Sequence, residues 1–166
     1  MPALPASLPA PLPAPLQAPL PWEPPPAAPG GDAQLLDEAA AGPGDRVLII
    51  GATSAELLCG ALRHGCRAAQ EATLPPLRPE PADVVVAPHV GSEEAGAALA
   101  SCARRALAES AAGGRLALLL RPGTGARALA RRLARRLRDY GFERIRLRAR
   151  AEGDLLLVCR LQPAIR

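Results

Sequence analysis

The sequence predicts a three-layer α/β fold, Rossmann-like in layout: a mostly parallel sheet, helices on both of its faces, and a C-terminal antiparallel hairpin. Three observations predict it. The apolar runs RVLII, ADVVVAPHV and GRLALLL have no polar alternation, as strands buried on both faces require. Helix-period segments separate them, and strand–helix alternation with short links implies right-handed parallel crossovers. The chain then ends in RIRLRAR and LLLVCRL around a turn at AEGD, which reads as a hairpin.

In chain order, residues 1–30 come first. They hold 12 of the 20 prolines, in MPALPASLPAPLPAPLQAPLPWEPPPAAPG. Proline fixes φ and removes backbone donors, so this stretch reads as an extended, disordered tail with P-x-x-P spacings and one Trp22. The α/β domain is expected over 31–166. AQLLDEAAA predicts a short helix ended by the GPG at 42–44. RVLIIG is the first strand. SAELLCGALRHG is the helix after it, with Ser54 as cap and Leu57, Leu58, Ala61 and Leu62 as its buried stripe. CRAAQEA, at 66–72, is a weaker second strand, and LPPLRPEP a loop. ADVVVAPHV is a buried strand that Pro88 is expected to end. SEEAGAALASCARRALAES is a helix that AAGG closes, and GRLALLLRPG is the next buried strand. In ARALARRLARRLRDYGF, Leu129, Leu133, Leu137 and Tyr140 mark one helical stripe and Arg127, Arg131, Arg135 and Arg138 another.

The chain has 166 residues, 49% of them hydrophobic, enough for one domain with a real core. Aromatics are 2%, namely Trp22, Tyr140 and Phe142, so the core must come from Leu, Val, Ile and Ala. Stacking-based recognition of single-stranded nucleic acid lacks raw material. The net charge of +4 is uneven: residues 31–120 carry −4 and residues 121–166 carry +9, with every basic residue an arginine. On the last helix and strand the arginines read first as a solvated face. An acidic protein or a nucleic acid is the partner such a surface would take.

Cys59, Cys66, Cys102 and Cys159 form no C-x-x-C pair, and there are two histidines. Neither a metal site nor a disulfide framework is expected; buried thiols in a reducing cytoplasm are. No signal-peptide pattern and no membrane-spanning run is read.

Ligands of such sheets bind outside the carboxyl ends of the strands. Three segments meet that condition: residues 51–55, Ala87–Gly91 and Arg121–Gly125. In the last, RPGTG lacks the G-K-[ST] of a phosphate loop and reads as a flexible loop. Asp83 starts a strand rather than ending it and reads as a surface or capping acid. Glu93 and Glu94 suit a helix start, and His64 a helix C-terminus.

The order of elements resembles the class I S-adenosylmethionine-dependent methyltransferases over roughly residues 33–163. The resemblance rests on LLDEAAAGPGDRVLIIG, LPPLRPEPADVVVAPHV, AAGGRLALLLRPG and LRDYGFERIRLRAR with DLLLVCRL. It implies a methyltransferase-type fold with S-adenosylmethionine held near Gly51, Ala52 and Thr53, and Glu71 at the ribose hydroxyls. It also places His89 near the substrate, where an imidazole serves as general base. The family's first turn reads acid-x-Gly-x-Gly-x-Gly. Here Ile49 stands in the acid's place, Thr53 replaces a glycine, and only Gly51 matches. Only 11 residues separate Glu71 from Asp83, so about one strand–helix unit is expected to be missing or merged. Three readings follow: a methyltransferase of unknown substrate, an inactive methyltransferase-fold module that binds a partner, and a basic nucleic-acid-associated protein.

Overall fold

A computed structural model describes residues 34–51, 55–73, 79–150 and 153–162. The proline-rich tail, Ala52, Thr53, the Ser54 cap and the tip of the terminal hairpin lie outside the described residues. Ten elements follow in order: α1 (Gln34–Glu38), β1 (Arg46–Ile50), α2 (Ala55–Arg63), β2 (Ala68–Ala72), β3 (Val84–Val90), α3 (Glu93–Leu107), β4 (Gly114–Leu120), α4 (Ala126–Asp139), β5 (Phe142–Ala149) and β6 (Leu155–Leu161). They build one six-stranded sheet in the order β2-β1-β3-β4-β6-β5. β2, β1, β3 and β4 are parallel, and β6 runs antiparallel to both β4 and β5. The predicted mixed sheet with a terminal hairpin is therefore the observed one.

Because strand side chains alternate, each central strand feeds two cores. Leu48, Ile50, Val85, Leu116 and Leu118 face α3 and α4, where Leu99, Leu107, Leu133 and Leu137 meet them. Val47, Ile49, Val84, Val86 and Leu119 face α1 and α2, meeting Leu35, Leu36, Leu57 and Ala61. Ala130, Leu133 and Leu137 make the buried stripe of α4, with Leu129 and Tyr140 half-covered beside it. On α2 the expected stripe needs one correction. Leu57 and Ala61 are buried, but Leu62 is 70% exposed. Gly60 takes its place: Leu57, Gly60 and Ala61 share one helical face, and at about 100° per residue Leu62 turns out of it.

Two glycines fix how closely α3 lies. A Cβ on Gly96 would stand 2.2 Å from Leu133 Cδ2 of α4. A Cβ on Gly114 would stand 2.4 Å from Leu107 Cβ. The GG expected only to stop α3 thus does two different things. Gly113 takes φ +82, and Gly114 lets β4 start directly under the end of α3. At the other end of α3, the Ser92 hydroxyl accepts the Ala95 N–H at 3.1 Å.

β3 also differs from expectation. Pro88 does not end it; the strand continues to Val90, with an irregular register against β4 between Ala87 and Val90. Pro88 fits there because a bulge frees it from donating to the ladder. β2 is the sheet's edge, and β3 pairs on the far side of β1, so among the described residues no strand lies beyond β2. The shortfall inferred from the Glu71–Asp83 spacing is this missing outer strand.

Candidate functional site

The chain passes from β1 outward to β2, then returns across β1 to β3. β1 and β3 therefore flank the point where strand order reverses, and a crevice opens outside their carboxyl ends. Gly51 leaves β1 at this point with φ +120, a backbone conformation that side chains oppose. Its N–H donates to Ala72 O at 3.1 Å, which ties it to the end of β2. A Cβ built on it would lie 3.7 Å from Pro88 O, so Gly51 lies beside the bulge of β3. Glu71 stands on β2 directly opposite Ile49. The structure thus brings Gly51, Glu71 and the 88–90 segment to one end of the sheet. Ala52 and Thr53, the other two residues expected at a cofactor, lie outside the described residues.

His89 is not beyond β3 but inside it, at the bulge. It is exposed and has φ +65, a region in which histidine is over-represented among non-glycine residues. A bulge re-aims a side chain at the rim of a sheet. On one side of it Pro88 adjoins Gly51. On the other, Val90 lines an open cleft of about 510 Å³. Gly91, Ser92, Arg121, Thr124 and Gly125 complete the cleft, between the β3–α3 and β4–α4 connections. RPGTG is therefore a cleft wall, and Gly125, at φ +101, starts α4. The sequence had marked 121–125 by position but gave it no role, because the wall exists only once β3 and β4 lie side by side.

Charged groups near the site divide into fastened and open. Glu93 does more than suit the start of α3: its carboxylate accepts from Arg132 Nε at 2.6 Å, joining α3 to α4. Asp83 sits at the opposite end of β3. Its Oδ2 accepts from the Arg46 backbone N–H at 3.1 Å and from Arg46 Nε at 3.0 Å. The guanidinium holds the Asp83 carboxyl below the usual range, and Asp83 serves the fold rather than the site. His64 lies just past α2, with Nε2 3.4 Å from Asp37 Oδ1 of α1, in keeping with a structural role. Ile49 is 1% exposed within the α1/α2 core, so β1 offers no acid to an amino group.

The cysteines correct one expectation. Cys102 and Cys159 are buried, and burial pushes both thiols up. Cys59 is exposed and Cys66 half-buried. Among the described residues no group of three His, Cys, Asp or Glu is placed to hold a metal ion, and no helix is long and apolar enough to cross a membrane.

No family model matches the chain, and no curated protein matches it. Solved structures do. TrmN from Thermus thermophilus superposes with TM-score 0.54 at 24% identity, over 78% of this chain and 48% of that one. The release factor-specific protein-(glutamine-N5) methyltransferase from Alicyclobacillus acidocaldarius gives 0.52 at 21%, over 78% and 90%. The ribosomal protein L11 methylase from Lactobacillus delbrueckii subsp. bulgaricus gives 0.57 at 16%, over 78% and 77%. The chain spans about half the length of the first and most of the other two. Identities this low report a fold, and the fold is the Rossmann-like one of class I methyltransferases.

Proposed function

We propose that the chain is a methyltransferase-like protein that binds S-adenosylmethionine at the carboxyl ends of β1 and β2, with its acceptor in the cleft beside β3. The observation that carries this is Gly51. At φ +120, hydrogen-bonded to the end of β2 and lying beside the bulge of β3, it turns the chain at the reversal of strand order without a side chain in the way of a ligand. Glu71, on the adjacent strand end, is the acid in reach of a ribose. Ala52 and Thr53 follow Gly51 in sequence and would complete the turn. The cofactor would supply the electrophilic methyl group. His89, on the bulge between Gly51 and the cleft, would take a proton from the acceptor.

Calorimetric titration with S-adenosylmethionine and S-adenosylhomocysteine tests the reading. Binding is expected, weakened about tenfold or more by Glu71→Gln through loss of a charge-assisted hydrogen bond. Absence of binding at millimolar ligand would overturn it.

A second reading has its own observation. Ile49 is packed into the core where the resemblance calls for an acid, and the outer strand is missing. Both favour a module that keeps the fold for partner binding without catalysis. Binding of cofactor with no methyl transfer to any protein, RNA or small-molecule acceptor would favour that reading.

A further inference from the structure

The two faces of the terminal hairpin are treated differently. On the α3/α4 side, Leu155, Leu157 and Ile145 pack into the core. On the α1 side, among the described residues, no helix covers β5 and the outer half of β6. Strand alternation places Arg146 and Arg148 on that side, and the register sets Arg160 of β6 directly opposite Arg115 of β4. On its β5 side Arg160 stands opposite Glu143, whose carboxylate accepts from Gln162 Nε2 at 2.6 Å.

Arg115, Arg144, Arg146 and Arg160 converge on a cavity of about 230 Å³, closed on one side by Glu38 and the end of α1. Arg115 is satisfied by Asp45 and by Ala40 O. Glu38 accepts from Arg148 at 2.8 Å. Arg144, Arg146 and Arg160 make no ion pair with another described residue. Arg144 joins them through a bulge in β5, where its φ is +50. Outside the described residues the side-chain carboxylates are Glu23, Asp32 and Glu152, with Arg78 and Arg166 against them. Among the described residues, Glu38 is the one carboxylate that lines the cavity, and it is already taken by Arg148.

We propose that the cavity seats a backbone phosphate of a nucleic-acid duplex, with the duplex running along β5. Several guanidinium forks aimed into one small space suit a phosphate, which offers acceptors in more than one direction. The arginines continue past the cavity to Arg148 and Arg150 at alternate positions, about 7 Å apart along a strand. A row of this kind fits a repeating anion. A peptide adding to the free edge is disfavoured, since a bulge and a line of arginines obstruct strand addition. With three aromatic residues in the chain there is no stacking platform, so the bases stay paired and only the backbone is contacted. This inference does not depend on cofactor binding.

Fluorescence anisotropy with a short labelled DNA duplex, and with an RNA duplex of the same sequence, tests it across a salt series. The intact chain should bind at low salt, with affinity falling linearly in log–log form. The variant Arg144→Gln/Arg146→Gln/Arg160→Gln should bind at least tenfold more weakly, with a salt slope shallower by about two to three units. The equally charged control Arg131→Gln/Arg135→Gln/Arg138→Gln, on the exposed face of α4, should lose far less. Arg146→Gln and Arg160→Gln singly, each with a checked thermal transition, replace the triple variant if it fails to fold. Preference for one duplex identifies the source of the phosphate and supports the site. Equal losses in the two triple variants would overturn it as diffuse charge, as would no binding to either duplex. Polyglutamate bound as tightly through the same three arginines would overturn the choice of nucleic acid.

Discussion

On the α3/α4 face of the sheet, packing reaches β5 at Phe142 and Ile145 and leaves Leu147 46% exposed, whereas on the α1/α2 face it reaches only β6. The strands are shared, so the difference lies in what the chain lays over them. α3 and α4 are 15 and 14 residues long, while α1 and α2 are 5 and 9. The long helix α4 packs on the hairpin, whereas α1 reaches β5 and Arg150 just past it only through side-chain hydrogen bonds of Glu38 and Gln34. The first face therefore stores stability in close packing, and the second leaves charge in the open. The lesson is that an apolar–polar alternation in a strand does not report whether its polar side is a surface or a site.

Substitutions should separate the two faces. The largest loss is expected for Leu133→Ala, which removes a buried side chain beneath α3 and should cost about 3 kcal/mol in urea unfolding. A loss under about 1 kcal/mol would mean that α4 is not seated as described. Next comes Gly114→Ala, at about 2 kcal/mol, because its new Cβ meets Leu107 Cβ, which cannot swing aside as a side-chain tip can. A neutral result would remove the claim that glycine sets the depth of α3.

Asp83→Asn should cost about 1 kcal/mol at neutral pH, by weakening the pair that holds the start of β3 to β1. The pair also predicts a pH dependence. The Asp83 carboxyl is lowered in the folded state, so its contribution is complete above the ordinary value of 3.8 and is lost as pH falls through the lower folded one. Thermal unfolding of the parent should therefore show a stability drop below about pH 4 that the Asn variant reduces. Identical acid limbs would refute the pairing.

The smallest effect belongs to the open face. Arg148→Gln breaks an exposed pair with Glu38 and should change stability by no more than about 0.5 kcal/mol. A larger loss would show that α1 depends on the hairpin. Thiol labelling offers a check without mutation. Cys59 should react first and Cys66 more slowly, while Cys102 and Cys159 should react only on unfolding. Early reaction of Cys102 would mean that the α3/α4 face opens as readily as the other.

Most of the fold was legible because its signals are local. An apolar run such as Leu116–Leu120 cannot be stable unless both faces are covered, and the stripe around Leu133 and Leu137 can only be a helix. Errors fell where a neighbour decides. Leu62 belongs to the apolar pattern, but the face that the sheet covers runs through Leu57, Gly60 and Ala61 and leaves it outside. Pro88 reads as a stop unless a bulge beside β4 exempts it. For the candidate site, the resemblance to the methyltransferases pointed to Gly51, Glu71 and His89, and the sheet brings those three positions to one end.

By itself, then, the sequence determined the parallel sheet, its helices, the closing hairpin and a shortfall of about one strand–helix unit, since hydrophobic periodicity and chain length act residue by residue. Only the tertiary structure decided that Gly51 is tied to the end of β2 beside the bulge of β3, that 121–125 walls a cleft, and that four arginines from three strands share one cavity. Those facts depend on strand order and register, which pairing between distant segments sets and no local pattern encodes.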